Sequence, residues 1–261
     1  MTTAESLFVA DHGAGTPVLL LHGQPGASDH LSLVADLLEV DHRVINVDRP
    51  GYGRSTNPPM DIGSQADLLA DLLRARGASP AIVVAHSFGG AVALLMATLH
   101  PDVVAGLVLA ASVGGEGSIE FADRLLAAPL VGGLASTLSL ATYGVLGPVA
   151  ARLPGFRSLA GNVPVTPTLS LLDARRAFLF EQRDLVAEAE VLLAACSIVA
   201  CPTVVLQGTA DNVLLASAGR DLADRIPRAA YVELAGLGHL LPRDAPEEMA
   251  DAVRAVEAQL S

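Results

Sequence analysis

The chain has 261 residues, 51% of them hydrophobic, with a formal net charge of −12, and all 16 of its basic residues are arginine. That length suits one α/β domain with an insertion, large enough to hold a core without disulfides or metal. The acidic balance argues against nucleic acid and anionic membranes as partners, since nothing basic is concentrated to neutralise phosphate, and it favours a soluble cytoplasmic protein.

The opening M-T-T-A-E-S-L-F-V-A-D has no basic segment followed by an apolar run, so no signal peptide is expected. Beyond it, strands are expected at Ser6–Ala10, Pro17–His22, Arg43–Asp48, Ala81–His86, Ala105–Ala111, Pro202–Gly208 and Ala230–Leu234. Helical spacing of apolar residues falls between them, at Asp29–Val40, Gln65–Arg76, Phe88–Leu99, Leu215–Arg225 and Pro246–Leu260. Runs such as V-L-L-L and A-I-V-V-A lack polar alternation, which marks strands covered on both faces. Strand–helix alternation with right-handed crossovers predicts an α/β fold. Its central sheet is mostly parallel, with about seven or eight strands flanked by helices.

The alternation breaks from residue 114 to 182, where the pattern is helical with Gly and Pro punctuation and no strand candidates. Leu125–Ala151 holds 27 residues without a charge, longer than the roughly 20 needed to span a membrane. Pro129, Gly132, Gly133, Gly144, Gly147 and Pro148 cut this run into short pieces, and it lies between two strands of one sheet. An inserted helical cap is therefore expected at 114–182, with a core of 1–113 and 183–261. The poverty of charge suggests that one cap surface faces an apolar pocket or a second copy of the chain, a homodimer contact. Cys196 and Cys201 read as two reduced, packed thiols, and no additional Cys or His gives them metal-site spacing. No metal and no cofactor are expected.

One segment carries nucleophile chemistry. Ala85-His86-Ser87-Phe88-Gly89-Gly90 follows a strand and opens a helix, which places Ser87 at the apex of a sharp turn. A nucleophile raised in this way needs small neighbours, and the helix N-terminus beside it favours developing negative charge. The plainer alternative is that Ser87 only caps that helix.

Two more motifs follow strands: His22-Gly23-Gln24-Pro25-Gly26, and Asp48-Arg49-Pro50-Gly51-Tyr52-Gly53-Arg54-Ser55. With the Ser87 turn, they make the chain resemble the α/β-hydrolase superfamily, in its cap-bearing esterase, epoxide-hydrolase and dehalogenase-like branch. The resemblance covers nearly the whole chain in the family's order. It implies Ser87 as nucleophile, His239 of G-L-G-H as general base, and Asp211, after the strand beginning C-P-T-V-V-L, as the orienting acid. It implies the backbone N–H groups of Gln24 and Phe88 as the oxyanion hole, and a cis peptide at Gln24–Pro25. Relatives that attack alkyl carbon use Asp at the nucleophile position, so a serine implies acyl transfer. The expected reaction is hydrolysis of a carboxylic ester of an apolar small molecule.

Alternatives remain on the same fold. They are a carbon–carbon bond hydrolase of vinylogous diketones, whose usual Asn-Ser-Met-Gly turn is not matched, a cofactor-free perhydrolase, and a non-catalytic ligand-binding protein. Among other candidates, His86 reads as a packed core residue and His22 as a structural part of the oxyanion turn. Asp48 and Arg54 read as satisfying backbone groups of their loop. His12, His30, His42 and His100 are expected in loops or at helix ends. Arg175, Arg176 and Arg183 read as a solvated helix face, with contact to a substrate carboxylate as the alternative. Three departures from the family pattern stand out: Ala85 in place of Gly, one N-terminal strand where relatives have two, and Val213 after Asp211-Asn212.

Overall fold

The computed structural model describes residues 4–115, 117–118, 124, 127–128 and 171–260. Most of the expected cap, including nearly all of the uncharged run Leu125–Ala151, lies outside the described residues. Among those described, seven strands form one sheet: β1 (Val9–Gly13), β2 (Thr16–Leu21), β3 (His42–Val47), β4 (Ala81–His86), β5 (Val104–Ala110), β6 (Thr203–Gly208) and β7 (Ala229–Leu234). Their order is β1-β3-β2-β4-β5-β6-β7, parallel throughout except for β1, which runs antiparallel along β3.

Every residue of β4 and of β6 is buried, as their unbroken apolar runs require. Two helical layers cover the sheet. On one face lie α1 (Ser32–Leu38) and α8 (Pro246–Glu257), whose Leu38, Met249 and Val253 pack with Val18, Ile82 and Val108. On the other lie α2 (Ile62–Ala75), α3 (Gly89–Leu99), α5 (Ala189–Ile198) and α6 (Ala216–Arg225), packed over Leu19, Val83, Leu107 and Val205. Helix α4 (Leu171–Ala187) precedes α5, and the short α7 (Leu241–Asp244) precedes α8. Helix α3 is apolar on all sides and nearly all of it is buried, as expected for a helix enclosed between sheet and neighbours.

Some expectations need correction. The first strand is Val9–Gly13 rather than Ser6–Ala10; Ala4–Ser6 is a short 3-10 turn. As an edge strand it has one neighbour and half-exposed side chains, so its apolar signal is weak. His12 consequently sits within β1, and the buried His42 opens β3, hydrogen-bonded to Asp41 at 2.6 Å. The expected helix Asp29–Val40 is a 3-10 turn, Ser28–Leu31, followed by α1. Helix α4 runs without a break through the expected cap boundary at residue 182, and α5 follows it directly. Cys196 and Cys201 are both free thiols. No helix among the described residues is long and apolar enough to cross a membrane.

The strand order fixes where a ligand meets the sheet. From β2 the chain leaves to one side for β3, then returns past β2 to β4 and proceeds the other way. The carboxyl ends of β2 and β4 thus flank a topological switch point, where open α/β sheets leave a crevice. His22-Gly23-Gln24 leaves β2 there, and Ser87 leaves β4.

Candidate active site

Ser87 follows β4 and precedes α3, and its φ of 53° lies in the left-handed region that non-glycine residues rarely adopt. The surroundings enforce that conformation. Its N–H donates to Ala110 O at 3.0 Å, and its carbonyl accepts from Gly90 N at 3.0 Å and Val113 N at 3.3 Å. Strain held in this way by neighbouring hydrogen bonds is a feature of functional turns. The small neighbours are also required. A Cβ on Gly90 would stand 1.5 Å from Ser112 Oγ, and one on Gly23 would stand 2.9 Å from Ser87 Cβ.

The structure brings Ser87, His239 and Asp211 together from three separate loops. Ser87 Oγ lies 3.0 Å from His239 Nε2, and His239 Nδ1 lies 2.9 Å from Asp211 Oδ2. A carboxylate only accepts, so Nδ1 carries the proton and Nε2 is left free to receive one from the serine. Burial pushes the Asp211 carboxyl up, but the His239 ring and the amides of Leu214 and Val213 outweigh it and hold the group below its ordinary 3.8. Those amides donate to Oδ1 at 2.9 and 2.8 Å, so Val213 supports the acid with its backbone. Asp211 is therefore an ionised, buried carboxylate with both oxygens engaged.

Gln207 completes this shell and was not foreseen from the sequence. From β6 its Nε2 donates to Asp211 Oδ2 at 3.0 Å and to Leu214 O at 2.9 Å. The one available signal was a lone amide in the otherwise apolar run T-V-V-L-Q-G.

The Gln24–Pro25 peptide is cis. Among the described residues neither Gln24 N–H nor Phe88 N–H has an acceptor, and Phe88 stands at the N-terminus of α3. His86 is buried and bonds through Nε2 to His239 O at 2.8 Å. Asp48 accepts from the backbone of Ser28 and Arg54, both at 2.7 Å, and Arg54 pairs with it at 3.1 Å. His30 lies in the 3-10 turn before α1, and His100 ends α3 and meets Asp67 at 2.7 Å. Arg176 and Arg183 are exposed on α4. No metal-binding cluster occurs among the described residues.

The sequence matches the family model described as Alpha/beta hydrolase family over residues 18–252. The chain belongs to that family. This alpha/beta hydrolase is 31% identical over 235 residues to a pimeloyl-[acyl-carrier protein] methyl ester esterase of Chromobacterium violaceum, covering 90% of the chain and 91% of that relative. It is 39% identical over 131 residues to the lipase LipV of Mycobacterium tuberculosis, covering 47% of the chain and 49% of the lipase. Among solved structures, an alpha/beta hydrolase fold protein from Burkholderia ambifaria superposes with a TM-score of 0.76 at 26% identity, over 95% of this chain and 93% of that one. The hydrolase assignment and the fold follow from these likenesses together with the sheet described above.

Proposed function

We propose that this alpha/beta hydrolase cleaves a carboxylic ester of an apolar small molecule by acyl transfer to Ser87. The observation that carries the reading is the linear relay from Ser87 Oγ through His239 to the buried Asp211 carboxylate, with spacings of 3.0 and 2.9 Å. Ser87 Oγ attacks the carbonyl carbon as its proton passes to His239 Nε2, and Asp211 stabilises the imidazolium that results. The N–H groups of Gln24 and Phe88 receive the oxyanion, each such donor being worth about 3–4 kcal/mol. His239 then protonates the departing alcohol, and a water activated by the same imidazole releases the acid and restores Ser87. The name of the esterase relative, a methyl ester esterase, supports the ester-cleavage part of this reading.

A fluorophosphonate probe with peptide mapping tests the proposal. The expected result is a single label on Ser87 together with turnover of simple acyl esters. A label on another serine, or none, would remove the basis of the assignment.

A further inference from the structure

A peptide unit has two ends, and the proposed oxyanion donor Gln24 N–H shares its plane with the carbonyl of Gly23. That carbonyl is held by two donors. Arg49 Nη2 reaches Gly23 O at 3.0 Å, and His22 Nδ1 reaches it at 2.7 Å. The histidine tautomer is fixed by its other nitrogen, because Nε2 accepts from the backbone N–H of Arg49 at 2.9 Å. Burial, with the Arg49 charge second, pushes the His22 pKa well below 6.5, so the ring stays neutral and Nδ1–H points at Gly23 O.

Arg49 itself is wholly buried, and each of its five guanidinium N–H groups has an acceptor. Nε donates to His22 O at 2.8 Å and Nη2 to Gly23 O, so one planar fork spans both carbonyls of the turn. Nη1 donates to Gln65 Oε1 at 2.9 Å and to Glu181 Oε1, while Nη2 also reaches Glu181 Oε2 at 3.4 Å. Glu181, on α4, is equally buried and accepts from Tyr52 Oη at 2.7 Å and Gln65 Nε2 at 3.1 Å. The next residue of α4, Gln182, accepts from Gln24 Nε2 at 2.8 Å.

A buried ion pair of this kind is weak evidence for stability, because desolvation offsets most of its attraction and apolar replacements are often as stable. Its geometry suits a different purpose. A cation on the carbonyl oxygen draws electron density through the amide and strengthens the N–H at the opposite end as a donor. The rigid fork also fixes the rotation of the peptide plane, which sets where that N–H points.

We propose that Arg49, clamped by Glu181, is a positioning residue that orients and polarises the Gly23–Gln24 peptide for the oxyanion. The inference rests on the acyl-transfer reading of Ser87. Its contribution is made in the transition state, where the carbonyl oxygen carries charge, and is small in the ground state. The competing account is a structural staple joining α4 to the loop after β3.

Three variants of the full chain separate these: Arg49→Lys, Glu181→Gln, and the double variant Arg49→Met with Glu181→Met, which removes both charges of the pair and leaves neither unpartnered. For each, fold is checked by circular dichroism, kcat and KM are measured on a p-nitrophenyl ester, and Ki is measured for a trifluoromethyl ketone. That ketone forms a hemiketal with the nucleophile whose oxyanion occupies the hole. The expected result for Arg49→Lys and the double variant is a kcat lower by about tenfold to a hundredfold, below the roughly 10²–10³ for losing a whole donor, with KM nearly unchanged. The ketone Ki should weaken by the same factor. Glu181→Gln, which keeps the shape and loses the charge, should fall severalfold in the same two measurements. Folded variants with kcat and Ki at wild-type levels, or with losses confined to KM, overturn the inference. Failure of all three to fold assigns the pair to the staple and overturns it too. Wild-type protein unlabelled at Ser87 by fluorophosphonate overturns the acyl-transfer reading itself, which distinguishes the two failures.

Discussion

His86 donates from Nε2 to the backbone carbonyl of His239 at 2.8 Å, and the two rings lie 5.0 Å apart at 49°. The residue beside the proposed nucleophile therefore holds the loop that carries the proposed base. Burial, with the His239 ring second, pushes the His86 pKa from 6.5 down to about 3. The unfolded chain binds the extra proton between those values. Stability from this residue is accordingly complete above about pH 6.5 and is lost as pH falls toward 3. Between about pH 7 and pH 5 the loss is roughly 2 kcal/mol. Urea unfolding across that range should show the slope, and His86→Gln should make it shallower without abolishing it, since burial lowers His22 and His30 in the same direction. An unchanged slope in that variant would place the titrating group elsewhere.

The relay makes a kinetic prediction. Ser87→Ala and His239→Ala should each fold normally and lose ester turnover by about 10⁴-fold or more, and combining them should add little, since such groups act as a unit. Asp211→Asn should lose about 10³- to 10⁴-fold, because an amide nitrogen facing Nδ1 favours the wrong tautomer. Steady-state kinetics on one activated ester decides. Near-wild-type rates in Asp211→Asn would move the acid to another residue.

Gln207 acts one contact further out. Gln207→Leu removes a donor from Asp211 Oδ2 but leaves the amides of Val213 and Leu214 on Oδ1. The expected outcome is about a tenfold fall in kcat at constant KM, with roughly 1–2 kcal/mol lost from stability. A KM effect without a kcat effect would show that Gln207 shapes the pocket instead.

The uncharged stretch Leu125–Ala151 leads to a prediction about substrate choice. If it lines an apolar pocket, each added methylene of the acyl chain contributes up to about 0.8 kcal/mol. Lengthening an ester's acyl chain from about two to six carbons should then raise kcat/KM severalfold or more until the pocket is full. A flat profile together with a dimer by light scattering would assign this surface to a contact between two copies.

The central strands were legible because burial on both faces leaves unbroken apolar runs, as in A-I-V-V-A and T-V-V-L. The half-exposed edge strand β1 has a weaker pattern, and the apolar residues mark it three positions early. The convergence of Ser87, Asp211 and His239 on one candidate site was legible through the motifs around them. The partnership of Arg49 with Glu181 was not, since the two lie 132 residues apart and neither residue's local pattern announces a buried charge. Gln207 was hidden for a related reason: one polar side chain in a strand does not reveal which loop it will meet.

The switch-point position of the site has a consequence for synthesis of the chain. The groups that meet there come from the ends of β2, β4 and β6 and from the loop after β7, positions 22 to 239 in a chain of 261. No hairpin or early βαβ unit contains even two of the three relay residues. On the proposed mechanism, a nascent polypeptide stays hydrolytically silent until β7 has docked and the loop after it has brought His239 to Ser87. Appearance of activity during refolding should coincide with the slowest closing of the sheet, so that catalysis serves as a clock for completion of the fold.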